Sequence, residues 1–292
     1  VITGPVGIGK TTLIRNALSD LPDDVVVGVI SNTHPDMGNL LQWALLAFGQ
    51  DYKSDSRVEL YDWFLQFLQS EHTANRRVVL VIDEAQNLAP KDLEELRMLS
   101  NINAEKDQIL QLILLGQPQL RDMLRDPELL QFSQRVGVDY NIRPLDQQET
   151  ALYIFNRCRV AGATGGLFTH AAAELIHFAS RGVPRVINVI CDTALVYAYG
   201  EQQQWVGEAI VARVLLDRKD SGLISLGDLP ESIHEKLESI EQEPGSAEST
   251  GSEPVEVEEQ NTESDGSHAE VTDIDRAREQ QARKSSPGDT AS

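Results

Sequence analysis

GPVGIGKT, residues 4–11, is the stretch that decides the fold, and its residues are Gly4, Pro5, Val6, Gly7, Ile8, Gly9, Lys10 and Thr11. The spacing is that of a phosphate-binding loop, G-x-x-x-x-G-K-[ST], which joins a strand to a helix. Glycines let backbone N–H groups close around phosphate oxygens, and the helix that begins near Lys10 turns its positive end toward the anion. We therefore expect Lys10 on the β and γ phosphates of a nucleotide and the Thr11 hydroxyl on Mg²⁺. Thr12 either contacts the α phosphate or serves only to start the helix.

Two acids follow an apolar, strand-like run, and together they form a Walker B pattern. Val78 to Ile82 precede Asp83 and Glu84. We expect Asp83 to hold Mg²⁺ and Glu84 to polarise the attacking water. A strand that ends in Asp-Glu is by itself often a solvated turn. The phosphate loop about seventy residues upstream favours the functional interpretation.

The first half of the chain alternates short β-branched runs with helical patterns. The strand-like runs are residues 25–30, 77–82 and 109–115, with a fourth, more mixed run at 136–142. Apolar residues at helical spacing lie between them, at 40–48, 60–68 and 93–99. Near-continuous apolar strands are typical of a parallel sheet that is covered on both faces. The predicted fold class is α/β, a P-loop NTPase with a parallel sheet flanked by helices.

After Arg143-Pro144 the strand pattern stops, and three or four helices are predicted near residues 146–161, 169–180, 184–199 and 206–216. They predict a small all-helical domain. Beyond about residue 221 the chain is rich in Glu, Ser, Gly and Thr, which predicts a disordered acidic tail. Within it, Ile233, Leu237 and Ile240 form a transient helix or a docking peptide, or are plain tail. The domain boundaries are thus 1–144, 145–220 and 221–292.

Composition narrows the functional classes. The 292 residues carry a formal net charge of −21, and about 18 acidic against about 5 basic residues lie beyond residue 226. The charge argues against broad attraction to nucleic acid.

No apolar run approaches the roughly 20 residues that span a bilayer, and Cys158 and Cys191 lack the spacing of a zinc site or disulfide framework. We expect a cytoplasmic protein, with peripheral attachment to the inner membrane as an alternative. Because three residues precede the phosphate loop, we also expect the first domain to be N-terminally truncated.

Three more polar residues are candidates for the site. Gln117 follows a strand and either touches the γ phosphate and its water or is an exposed turn residue before Pro118. Arg135 is a candidate arginine finger that reaches a neighbouring subunit's nucleotide, with Arg143 as the competing candidate. Arg185 lies at the start of a helix of the small helical domain and either contacts phosphate or forms a structural salt bridge.

The sequence resembles the secretion-pathway protein A (ExeA-type) family of AAA+ ATPases. Within that family, it resembles the ATPases associated with exosortase and exopolysaccharide systems. The residues that carry the resemblance are GPVGIGKTT (4–12), VIDEAQNL (81–88), LGQPQL (115–120), QR (134–135), RPL (143–145) and GVPRVIN (182–188). The resemblance implies an AAA+ core with a helical lid, in which Gln117 is similar to sensor 1, Arg135 to the arginine finger and Arg185 to sensor 2. In two respects the sequence departs from the family: the N-terminal segment is missing, and no membrane segment or peptidoglycan-binding domain follows the lid.

These features support a leading hypothesis and two alternatives. The leading one is an ATP-hydrolysing homo-oligomer with nucleotide at its subunit interfaces, which drives or regulates an envelope export, secretion or exopolysaccharide system. The first alternative is a DNA-associated helper of the TniB and MuB type, which needs a basic surface. The second is a nucleotide-gated scaffold with negligible turnover.

Overall fold

The computed structural model describes residues 1–31, 33, 38–104 and 107–221. The predicted acidic tail from residue 222, with its short amphipathic stretch, lies outside the described residues.

A five-stranded parallel sheet forms the centre of the first part of the chain, and its strand order is β2-β3-β6-β1-β7. A separate antiparallel pair, β4-β5, lies between α4 and β6 in sequence. The strands are β1 (Ile2–Thr3), β2 (Val25–Ile30), β3 (Arg77–Ile82), β4 (Asn103–Ala104), β5 (Asp107–Gln108), β6 (Leu110–Gly116) and β7 (Tyr140–Asn141). Because β6 separates β3 from β1, the Asp-Glu pair and the phosphate loop lie two strands apart at the same edge of the sheet.

Two predicted strands have the expected bounds, and one is shorter than expected. β2 and β3 match residues 25–30 and 77–82, and β6 begins and ends one residue later than predicted. Only Tyr140–Asn141 of the predicted run 136–142 is strand. The N–H of Val136 is taken by the carbonyl of Ser133, in the turn that ends the preceding helix, so this part of the run does not pair with β1.

Ten helices are present in the described part of the chain. They are α1 (Lys10–Ser19), α2 (Leu40–Ala47), α3 (Arg57–Thr73), α4 (Pro90–Leu99), α5 (Pro118–Leu124), α6 (Leu130–Ser133), α7 (Gln147–Val160), α8 (His170–Ser180), α9 (Pro184–Gly200) and α10 (Glu208–Ser221). Short 3₁₀ turns span Ala85–Asn87 and Pro127–Leu129. Side-chain caps explain several starts: Asn39, Ser56 and Thr169 accept backbone N–H bonds at the first turns of α2, α3 and α8.

Both faces of the sheet are covered, which explains why the strands read as continuous apolar runs. On β3, Val78, Leu80 and Ile82 face the larger core, which also holds residues of α2, α3 and α4. Val79 and Val81 face the opposite side, where they pack in a smaller cluster with Ile14 of α1. The alternation follows from the period of two along a strand.

The four C-terminal helices have a hydrophobic core of their own. Residues of α7, α8, α9 and α10 pack together, among them Ile154, Ile176, Ile187, Cys191 and Val211, all of which are buried. This cluster is separate from the two clusters of the sheet. In the part of the chain that is described, no helix combines the length and apolar character needed to cross a bilayer.

Candidate functional site

The phosphate loop joins β1 to α1, and two of its glycines adopt left-handed backbone conformations. Gly7 has φ +79° and Gly9, which caps α1, has φ +100°. Glycine adopts these angles without the Cβ clash that other residues meet. Lys10, the first residue of α1, is 5% exposed, and its ammonium donates to the carbonyls of Gly4 at 2.9 Å and Pro5 at 3.2 Å. The charge of Lys10 is therefore held inside the loop.

The tip of β3 meets the start of α1 through a short hydrogen bond. The Thr11 hydroxyl donates to Oδ2 of Asp83 at 2.5 Å, although 72 residues separate them. Oδ1 of Asp83 accepts the backbone N–H of Glu84 at 2.9 Å, and Asp83 is 6% exposed. A hydroxyl and a carboxylate beside the phosphate loop are the oxygen ligands that Mg²⁺ prefers.

The donor set fits Mg²⁺ better than a metal held by protein alone. No group of three or more His, Cys, Asp or Glu side chains suited to a metal ion occurs among the described residues. Mg²⁺ needs no such group, because it keeps several waters and takes one or two protein oxygens together with substrate phosphates. Thr11 and Asp83 are the residues that would hold it.

Glu84 has an unusual backbone and a carboxylate that is held by amides. Its φ is +52° and its ψ is +38°, a left-handed conformation that is uncommon for a residue with a Cβ. Oε2 of Glu84 accepts from Nε2 of Gln86 at 2.6 Å and from Nε2 of Gln117 at 3.3 Å. The Thr33 hydroxyl lies 3.0 Å from the carbonyl oxygen of Asp83 and 2.7 Å from that of Glu84.

Gln117 is half-buried at the end of β6 and lies beside Glu84, so it is not simply an exposed turn residue. Sequence reasoning missed two partners of this cluster, Gln86 and Thr33. Gln86 stood inside the quoted VIDEAQNL motif, where its position two residues after Glu84 was an available signal. Thr33 follows β2 in a loop whose sequence has no pattern that marks it.

The lid touches the phosphate loop directly. The backbone N–H of Arg185, in the first turn of α9, donates to the carbonyl of Gly7 at 3.2 Å. A Cβ on Gly7 would lie 2.7 Å from Cβ of Arg185. The exposed guanidinium of Arg185 makes no hydrogen bond or ion pair with the described residues, so the expected alternative of a structural salt bridge is absent there. Thr12 is exposed in the first turn of α1.

The two arginine-finger candidates differ in how firmly they are held. Arg143 donates two hydrogen bonds to Glu149, at 2.7 and 2.8 Å, and Glu149 also belongs to the capping box of α7. Arg135 is exposed at the end of α6 and reaches only the carbonyl of Ser100, at 3.4 Å. Neither side chain forms a hydrogen bond or ion pair with the phosphate loop among the described residues. Arg135 is thus the freer of the two to contact another molecule.

The fold and the loop define the chain as a P-loop protein with an AAA-type α/β fold. Residues 1–124 match the family described as AAA domain. The chain is 38% identical over 200 residues to General secretion pathway protein A of Aeromonas hydrophila, an alignment that covers 68% of this chain. The resemblance predicted from the motifs is therefore confirmed: the chain carries an AAA domain and is related to secretion-pathway protein A. It spans 37% of that relative's length.

Solved structures agree with the fold assignment. Cdc6p from Pyrobaculum aerophilum superposes with a TM-score of 0.58 at 17% identity, over 73% of this chain and 59% of that one. The Aeropyrum pernix ORC2 protein gives a TM-score of 0.55 at 17% identity, over 77% and 64%. At such identities the likeness shows the fold alone.

Proposed function

We propose that this chain binds ATP with Mg²⁺ and hydrolyses the ATP to ADP and phosphate. The observation that carries the proposal is the 2.5 Å hydrogen bond between Thr11 and Asp83, which joins the phosphate loop to the acidic strand tip. The buried ammonium of Lys10 stands on one side of this junction, and Glu84 follows Asp83 directly. These are the parts that phosphoryl transfer from a nucleotide requires.

Each residue has a role that follows from its chemistry. Residues 4–9 cradle the phosphates with backbone N–H groups, and Lys10 exchanges its two carbonyl partners for β and γ phosphate oxygens. Thr11 and Asp83 hold Mg²⁺, which neutralises charge that develops on the phosphates. Glu84 accepts a proton from water while the water oxygen attacks the γ phosphorus and the bond from that phosphorus to the leaving ADP oxygen breaks. Gln117 orients Glu84 or its water.

We propose further that the chain works as a homo-oligomer with nucleotide at the interfaces between subunits. Arg135 supports this, because it is exposed and weakly held, and an arginine from a neighbour stabilises the charge of the transition state. Arg185 contacts phosphate from the lid. We also propose three parts of the chain: a nucleotide-binding domain at 1–144, a helical lid at 145–220 and an acidic tail at 221–292.

The pathway follows from the relative rather than from the site. Because the chain is similar to General secretion pathway protein A, we propose that ATP turnover drives or regulates an envelope export or exopolysaccharide system from the cytoplasmic side. A chromosomal Lys10→Ala allele should then impair export of protein or polysaccharide to the cell surface. Normal export in that strain would remove this assignment and leave the ATPase proposal intact.

Phosphate release by the purified chain tests the ATPase proposal. Lys10→Ala should lose ATP binding and turnover together, whereas Glu84→Gln should bind ATP and lose turnover by at least about 100-fold. Lys53→Ala is the matched control, since Lys53 is an exposed lysine outside the site. Equal phosphate release by wild type, Lys10→Ala and Glu84→Gln would discard the proposal. Tight retention of duplex DNA at low salt would instead favour a DNA-associated helper.

A further inference from the structure

Gln86 occupies the space between the tips of two neighbouring strands. It lies in the 3₁₀ turn Ala85–Asn87 after β3, and its side chain reaches the end of β6. Its Nε2 donates to Oε2 of Glu84 at 2.6 Å, and its Oε1 accepts the backbone N–H of Gln117 at 2.9 Å. One side chain thus joins the carboxylate of Glu84 to the backbone at Gln117.

The orientation of the Gln86 amide is set by Glu84 and Gln117. The backbone N–H of Gln117 can only donate, so it must face Oε1. Oε2 of Glu84 accepts at its contact with Gln86, so it must face Nε2. Exchanging the amide oxygen and nitrogen would lose both hydrogen bonds. The Gln86 amide therefore links Glu84 to Gln117 in only one favourable orientation.

The neighbouring backbone leaves room for this bridge. A Cβ at Gly116, the last residue of β6, would lie 3.0 Å from Oε1 of Gln86 and 2.7 Å from the side chain of Leu120. The absence of a side chain at Gly116 lets Gln86 approach the strand end. Glu84 is held in its left-handed conformation next to this contact, and such backbone conformations persist where the surroundings fix them.

We propose that Gln86 is a positioning residue for Glu84. It holds the carboxylate of Glu84 in place for proton transfer by linking it to the backbone of Gln117 at the end of β6. The inference rests on the proposed ATPase function, since Glu84 must be the base. Gln86 itself touches no reacting atom. It acts by restricting Glu84, because a displacement of about 1 Å in a catalytic group costs on the order of 100-fold in rate.

Two substitutions test the bridge in different ways. Gln86→Ala removes the hydrogen bonds to Glu84 and Gln117, together with a longer one from Nε2 to Oδ1 of Asn87 at 3.3 Å. Gln86→Glu keeps the size and the acceptor toward Gln117 but replaces the donor to Glu84 with a second negative charge. Like charges this close repel each other, so the carboxylate of Glu84 should be displaced. Gln119→Ala is the matched control, because Gln119 is an exposed glutamine two residues beyond Gln117.

The measurements are kcat, KM and affinity for a fluorescent ATP analogue. Gln86→Ala should lower kcat about tenfold or more with KM and affinity nearly unchanged, the pattern of a lost transition-state interaction. Gln86→Glu should lower kcat in the same way, because the added negative charge repels the carboxylate of Glu84. A residue with only a structural role would change KM and affinity together with kcat.

The outcomes separate this inference from the proposed function. If wild type hydrolyses ATP and Glu84→Gln does not, the proposed function stands. A kcat equal to or above that of wild type in both Gln86→Ala and Gln86→Glu, or a fall in kcat matched by loss of ATP affinity, would then overturn the positioning role alone. If wild type shows no turnover, the proposed function itself fails. Should Gln86→Ala fail to fold, as judged by circular dichroism, the near-isosteric Gln86→Glu decides the question.

Discussion

Gly182 lies in close backbone contact with Leu145, just after the point where the strand-rich part of the chain ends, and Gly182→Ala should be strongly destabilising. Gly182 has φ +71°, and its carbonyl accepts the N–H of Leu145 at 2.9 Å. A Cβ built at Gly182 would lie 1.9 Å from the carbonyl oxygen of Leu145, where real Cβ atoms stay beyond 3.0 Å. The alanine methyl must therefore push the Leu145 backbone away by about 1 Å.

The expected cost has three parts. A left-handed alanine costs about 1 kcal/mol after allowance for its smaller unfolded-state entropy. Loss of the hydrogen bond from Leu145 to Gly182 adds about 1 kcal/mol. Displacement of packed backbone adds about 1–3 kcal/mol. The free energy of unfolding should therefore fall by about 3–5 kcal/mol in Gly182→Ala.

Gly49 provides a matched control, because it has nearly the same φ with open space around it. Its φ is +68°, and a Cβ there would meet nothing within 4 Å. Gly49→Ala should lower the free energy of unfolding by about 1 kcal/mol. Urea unfolding of both variants should then differ by about 2 kcal/mol or more. Equal losses, within about 0.5 kcal/mol, would show that the contact of Gly182 with Leu145 is not as tight as described.

The same substitution has a functional consequence. Gly182 lies just before the start of α9, where the N–H of Arg185 donates to the carbonyl of Gly7. A shifted Gly182 should move that helix start and disturb the phosphate loop. ATP affinity should therefore fall in Gly182→Ala and stay at the wild-type value in Gly49→Ala.

Two further predictions concern charged side chains. Arg135→Ala should lower ATP turnover by at least about 100-fold while ATP binding is retained. Arg143→Ala loses its hydrogen bonds to Glu149 but should keep turnover near the wild-type rate. The reverse result would make Arg143 the arginine finger. The Arg76 guanidinium holds the pKa of Glu71 below its ordinary value, through hydrogen bonds at 2.5 and 2.8 Å. The stabilisation is therefore present above the unfolded pKa of about 4.3 and is lost as the pH falls through the lowered folded value. In thermal unfolding, Glu71→Gln should have a lower Tm than wild type at pH 7, and this difference in Tm should narrow as the pH drops below about 4.5. A difference in Tm that does not change with pH would contradict the ion pair.

The local elements were largely predictable because their signals are local. β2 and β3 have the predicted bounds, since apolar β-branched residues between polar breaks mark a buried strand. Thr169 caps α8 as a threonine before a helical pattern suggests. The run 136–142 was overestimated, because its apolar residues follow the strand pattern while the backbone of Val136 is used by the preceding turn.

The candidate site was only partly predictable. Gly4 to Thr11 and Asp83-Glu84 stood out because their residue types and spacing are constrained by phosphate and metal chemistry. Gln86 and Thr33 did not stand out, since their role depends on which atoms of distant segments lie next to them. The choice between Arg135 and Arg143 was likewise open, since the ion pair of Arg143 with Glu149, which favours Arg135 as the finger, depends on how the chain folds.

By itself the sequence determined the class of chemistry: a glycine loop with Lys10 and Thr11 suits a phosphate, and acids after a buried strand suit a metal. Tertiary structure alone decided that β6 separates β3 from β1 and that Thr11 meets Asp83 across 72 residues. It also decided that Gln86 joins Glu84 to Gln117. The reason is physical: periodicity and spacing report on neighbours along the chain, whereas the meeting of strand tips depends on the order and register in which strands pair.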